Sequence, residues 1–243
     1  VLESLLWGLV GSSSLVLGAA LGLRVPLPQR ALGLLMGFGA GTLISAVSFE
    51  LADEALREGG AVALGLGLAV GAVAFWLGDR LVERMGGGPG PHRPRGAAET
   101  GSGAALALGA LLDGVPEQAA IGLSLASGQT GGVGIALVAA IFISNVPESL
   151  ASAAAMNRKG RRAHVMRLWL AVAALTTLAS VAGYALLGGA PGTVTGAVQA
   201  VAAGAILVML VDAMVPDALK SGGKAAGLVT VLGFAVAVLI SQA

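Results

Sequence analysis

The chain contains no cysteine, so disulfides and thiolate metal centres are excluded. Charge is scarce. Asp, Glu, Lys and Arg make up 11% of the 243 residues, where a soluble domain carries about 25%. Aromatic residues make up 4%, and the only histidines are His92 and His164, both in polar connections. With no H-E-x-x-H pair, a zinc hydrolase of that type is excluded. Ser124 falls on an apolar span with no candidate base nearby, so an enzyme is not expected. A net charge of +1 gives no electrostatic footprint for nucleic acid. The first residues lack a basic stretch and a cleavage site, so the first span is expected to act as its own targeting signal.

What is present is apolar. Hydrophobic residues make up 56%, the mean hydropathy is +0.89, and there are 39 glycines. Small residues let helix backbones approach closely, which is how membrane helices pack. A span needs about 20 apolar residues. Reading from one polar break to the next gives eight, at 4–23, 31–56, 61–82, 102–127, 131–157, 164–188, 193–219 and 224–242. The breaks carry turn chemistry, such as Val25-Pro26-Leu27-Pro28, Gly59-Gly60 and Gly188 to Pro191. The Gly/Pro-rich segment 86–102 is expected to be a flexible loop.

Thirteen of the fourteen basic residues fall in the odd-numbered loops, and only Arg57 falls on the other side. The positive-inside rule therefore places those loops in the cytoplasm and both termini outside. Trp7, Trp76 and Trp169 are expected to anchor at the interface. Glu50, Asp53 and Glu54 close the outer end of span 2.

Spans 2 and 7 share a pattern. Gly39-Ala40-Gly41-Thr42-Leu43-Ile44 aligns with Ala202-Ala203-Gly204-Ala205-Ile206-Leu207 at an offset of 163, which sets Gly41 against Gly204. The two spans run in opposite directions. Residues 1–84 and 164–243 therefore read as inverted repeats flanking the central pair 102–157, all within one transmembrane domain. Inverted repeats with interrupted helices at mid-membrane are a transporter signature.

The central pair carries the chemistry. Span 4 holds Asp113-Gly114-Val115-Pro116-Glu117 and span 5 holds Ser144-Asn145-Val146-Pro147-Glu148. Asp113 and Glu117 are i,i+4, as are Ser144 and Glu148, so each pair shares a helix face. Pro116 and Pro147 each free a carbonyl, of Leu112 and Ile143 respectively. No Lys or Arg occurs between Arg95 and Arg158. A carboxylate in hydrocarbon is costly without a compensating positive charge, and a bound cation can provide it. An oxygen-rich ligand set suits the harder divalent ions. A kinked helix with a protonated glutamic acid is the structural alternative.

At these residues the chain resembles the ZIP (Zrt/Irt-like) family of divalent-metal transporters, in its bacterial form. The family pattern is H-N-x-P-E-G on span 4 and Q/H-x-x-P-E-G/H on span 5. Here Asp113 stands for the histidine, Gly114 for the asparagine and Ser144 for the glutamine or histidine. The ending Val211-Asp212-Ala213-Met214-Val215-Pro216-Asp217 resembles the family's acidic span 7, and Thr176 aligns with a span 6 glutamate of some relatives. The resemblance implies an all-α integral membrane protein with eight transmembrane helices in a 3+2+3 inverted-repeat arrangement. It implies a multi-pass protein of the bacterial inner membrane, forming a homodimer and importing a divalent cation. The implied metal ligands are Asp113, Glu117, Ser144 and Glu148, with Asn145 in an adjoining second site and Asp212 toward the exit. Replacing imidazole by carboxylate shifts the set away from zinc, and leaves Zn, Mn, Fe, Co, Cd and Mg open as the transported ion. A proton-linked carrier, or a non-transporting relative with a buried carboxylate pair, is the alternative.

Overall fold

The computed structural model describes residues 1–84, 103–126, 134–157 and 161–242. They form nine α-helices and, among the described residues, no strand. The helices are α1 (Leu2–Gly22), α2 (Gln29–Ala46), α3 (Asp53–Arg84), α4 (Gly103–Ala126), α5 (Ile135–Met156), α6 (Arg162–Leu187), α7 (Gly192–Met209), α8 (Val215–Gly222) and α9 (Ala225–Ser241). Five helical stretches are long and apolar enough to cross a membrane, and α9 is a shorter apolar helix. Leu66, Val70, Leu77, Leu228, Val231 and Leu239 all lie exposed. Such outward apolar faces suit a protein embedded in hydrocarbon. His92 and the expected flexible loop lie outside the described residues.

Two π-helical turns interrupt otherwise α-helical rods. Val47–Ala52 joins α2 to α3, and Leu210–Met214 joins α7 to α8. They begin 163 residues apart, the same offset that aligns Gly41 with Gly204. π-turns are rare and concentrate at functional sites. One carries Glu50 and the other Asp212.

The helical stretch from Gln29 to Arg84 reverses at Gly60, where φ is 77° and ψ is 172°. The left-handed φ is open to glycine and strained for other residues. The reversal is visible against α7. Before Gly60 the packing is antiparallel, with Gly39 against Met214 and Ala55 against Gly196. After it the packing is parallel, with Gly67 against Ala200 and Gly71 against Ala205. The break expected at Gly59-Gly60 is thus a turn between two legs.

The helices sort into two groups. In one, α1 runs parallel to α5, with Gly18 against Val146 and Gly22 against Leu150. In the same group α4 runs parallel to α6, with Gly114 against Thr176 and Gly122 against Ser180. In the other, α2 runs parallel to α9 and the second leg of α3 runs parallel to α7. Ser12 Oγ and Thr176 Oγ1 hydrogen-bond at 3.1 Å and Ser180 Oγ donates to Ser4 O at 3.1 Å, so α1 and α6 pack antiparallel. The largest apolar core lies where the two groups meet, and includes Leu43, Leu51, Ile121, Leu123, Ile141 and Ile206.

Two expectations are corrected. Trp169 is not an interface anchor. It is 1% exposed in the core of the first group, among Leu15, Ala19 and Val172, and its indole Nε1 has no hydrogen-bond partner. Its position on α6 faces inward, and helix face decided its place more than aromatic character did. Trp76, by contrast, is 42% exposed, with the Arg80 guanidinium 3.9 Å from its ring centroid. His164 is exposed in the first turn of α6, not in the connection before it.

A candidate cation site between α4 and α5

Pro116 and Pro147 both lie inside their helices. Each ring nitrogen lacks a proton, so each helix loses one rung beside its glutamate. Asp113 and Glu117 sit on successive turns of α4, and Ser144 and Glu148 on successive turns of α5. The structure brings Asp113, Glu117, Asn145 and Glu148 together. The carboxyl groups of Asp113 and Glu148 lie within hydrogen-bonding reach of each other. Glu117 adjoins Asp113 and the Asn145 amide.

Burial is graded along the site. Asp113 and Glu148 keep partial exposure, whereas Glu117 and Ser144 are 0% exposed and Asn145 is 1% exposed. Both Glu117 oxygens and Asn145 Nδ2 lack a formed hydrogen bond. Among the described residues, no Lys or Arg forms an ion pair with any of the three carboxylates; the one ion pair, Arg57 to Asp53 at 2.8 Å, is on the surface. Ser144 Oγ donates to Ile141 O at 3.0 Å, and its Cα packs against Gly39 of α2. Its lone pairs remain available to a cation. Thr176 is engaged between α1 and α6. Its hydroxyl bonds Ser12 and the Ala173 carbonyl, and its methyl packs on Gly114.

Asp212 lies apart from this trio. It is within electrostatic range of Asp79, on the second leg of α3, and Asp79 is in turn within range of Asp113. Asp217 stands in the same relation to Glu148. Carboxylates therefore continue from Glu117 toward the end of the bundle that carries Arg84 and Lys220. The sequence reading missed Asp79, which sits beside Arg80 in a stretch read only for its basic flank. An acidic side chain inside an apolar span was the signal that could have found it. In the opposite direction Glu117 meets the apolar core of Ile121, Leu123, Leu137 and Ile141. Beyond that core, Glu50 comes up against Gly134, and Glu54 lies close to Glu58.

The carboxylates are neighbours but do not converge on one point. Among the described residues, no three His, Asp or Glu side chains are arranged to hold a single ion. Holding one would require Asp113 and Glu148 to exchange their mutual contact for the cation. Two carboxyl groups can share a hydrogen bond only if one holds a proton. A cation entering between them would displace that proton. No protein-family model matches the chain, and no curated protein matches it.

Proposed function

We propose that the chain carries a divalent metal cation across the membrane through the site between α4 and α5. One observation carries the reading. Two proline-interrupted helices bring Asp113, Glu117 and Glu148 together in the interior with no basic partner among the described residues, and both Glu117 oxygens lack a hydrogen bond there. Buried charge is retained where it is paired or binds a metal. Asp113, Glu117 and Glu148 supply hard oxygen ligands, and Ser144 and Asn145 supply neutral ones. Asp79, Asp212 and Asp217 form an acidic path between the site and the basic end of the bundle.

The fold reading follows the ZIP resemblance. Counting the turn at Gly60 as a connection and α9 as a span gives eight crossings in a 3+2+3 order. The helix pairings support an inverted repeat. Exchanging α1 with α6, α4 with α5, α2 with α7, and the second leg of α3 with α9 turns each parallel pair into another observed pair. The coincident π-turns add to this. By the positive-inside rule the basic end would be cytoplasmic and both termini outside, and the resemblance implies a bacterial inner membrane. Import and a homodimer come from the resemblance alone.

Contact between Asp113 and Glu148 favours a second reading, a carrier whose cargo at this pair is the proton itself. Uptake by reconstituted vesicles distinguishes the two. The metal reading expects accumulation of at least one of Mn²⁺, Fe²⁺, Co²⁺, Zn²⁺, Cd²⁺ or Mg²⁺, lost in Glu117→Gln. Proton flux with no divalent uptake would establish the second reading instead.

A further inference from the structure

Gln118 follows Glu117 directly and is also 0% exposed. Its neighbour is left without hydrogen bonds, whereas its own amide can bond the backbone at both its nitrogen and its oxygen. In the orientation that satisfies both ends, its nitrogen donates to Gly8 O at 3.3 Å and its oxygen accepts from the Ser12 N–H at 3.0 Å. A side chain of α4 thus bonds one turn of the α1 backbone. Gly11 makes this possible, because a Cβ there would fall 2.5 Å from the nearer Gln118 amide atom and 3.0 Å from Ile121 Cδ1.

The position of this clamp matters. Pro116 removes the rung to the Leu112 carbonyl, so α4 is least constrained against bending and twisting one residue before Glu117. Consecutive helical residues point about 100° apart. Fixing Gln118 against α1 therefore fixes the direction of Glu117, toward Asn145 and Asp113. Helix α1 is itself tied to α6 through Ser12 and Thr176 and through Ser180 and Ser4. The clamp ties the residues after the proline break to that hydrogen-bonded pair.

We propose that Gln118 is a positioning residue that aims Glu117 into the cation site, with Gly11 as the space that admits it. The role in cation binding rests on the metal-carrier reading above; the clamp itself does not. The test uses the purified 243-residue chain with Mn²⁺ as the probe. Gln118→Met keeps the volume and removes both hydrogen bonds. Gly11→Ala keeps Gln118 and displaces its amide. Gln199→Met is the control, because Gln199 is equally buried on α7 but has no hydrogen-bond partner for either amide atom.

Gln118→Met and Gly11→Ala should each weaken Mn²⁺ binding about tenfold, a loss typical of groups that orient a metal ligand. Both should also speed amide hydrogen exchange around Ser12. Gln199→Met should change neither. Unchanged Mn²⁺ affinity in Gln118→Met would overturn the positioning role, as would an equal loss in Gln199→Met. If the wild-type chain binds no Mn²⁺, the failure belongs to the metal-carrier reading. Exchange at Ser12 then decides the clamp alone, and unchanged protection in Gln118→Met overturns it.

Discussion

Asp113 and Glu148, on two different helices, sit carboxyl to carboxyl. One of them must hold a proton for that contact to be attractive. Divalent binding should therefore release about one proton per ion, and apparent affinity should fall as pH is lowered, because cation and proton compete. Calorimetric titration in buffers of different protonation enthalpy measures the release. Asp113→Asn should reduce it. Release that is unchanged in that variant would place the displaced proton elsewhere.

Glu117→Gln preserves shape and removes a charge that has no ionic partner. The protein should remain folded with an unchanged or higher melting temperature, since an uncompensated buried charge does not stabilise. Divalent uptake should drop by more than about tenfold. Glu148→Gln should behave alike in transport. Wild-type uptake by the double variant would show that the two glutamates serve only the helix kinks.

Asp113→His replaces a hard oxygen ligand with imidazole nitrogen at i,i+4 from Glu117. Nitrogen ligation favours zinc over manganese more strongly than carboxylate does. The ratio of zinc to manganese transport in competition should rise. A ratio that stays level or falls would remove Asp113 from the ligand set.

Orientation can be read with single cysteines in a chain that has none of its own. Arg161 and Thr193 flank the two ends of α6. In intact cells, Thr193→Cys should react with an impermeant thiol reagent and Arg161→Cys should be protected. The reverse pattern would invert the topology.

Gly60 and Gly65 test the turn. Neither would meet an atom within 4 Å if given a Cβ, so space is not the issue at either position. Gly60 has φ 77° and ψ 172°, a region nearly exclusive to glycine, so Gly60→Ala should cost about 1–3 kcal/mol in backbone strain. Gly65 is helical, and Gly65→Ala should stabilise by up to about 1 kcal/mol. Opposite shifts in melting temperature are expected. Equal shifts would mean that the reversal at Gly60 does not demand glycine.

The helices and their breaks were legible because glycine and proline punctuate them and apolar length is a one-dimensional property. Asp113, Glu117, Asn145 and Glu148 were legible because charge and amide inside an apolar run stand out, and because i,i+4 spacing fixes a face. The π-turns were not legible, since one added residue per turn leaves an apolar pattern unbroken. Asp79 was hidden by its basic neighbour. Gln118 was passed over because its partners are backbone atoms of α1, which no side-chain motif announces. Trp169 was misplaced because composition gives a preference for the interface, whereas helix rotation decides which residues face the core.

The pairing of α1 with partners far along the chain also bears on assembly during synthesis. Ser12 and Thr176, which bond each other, are separated by 164 positions. Ser4, Ser12 and Ser14 are all covered in the finished protein. Until α4, α5 and α6 have left the ribosome, those hydroxyls have only their own helix and the lipid to face. The contacts between α1 and α6 therefore close only once most of the chain has been made.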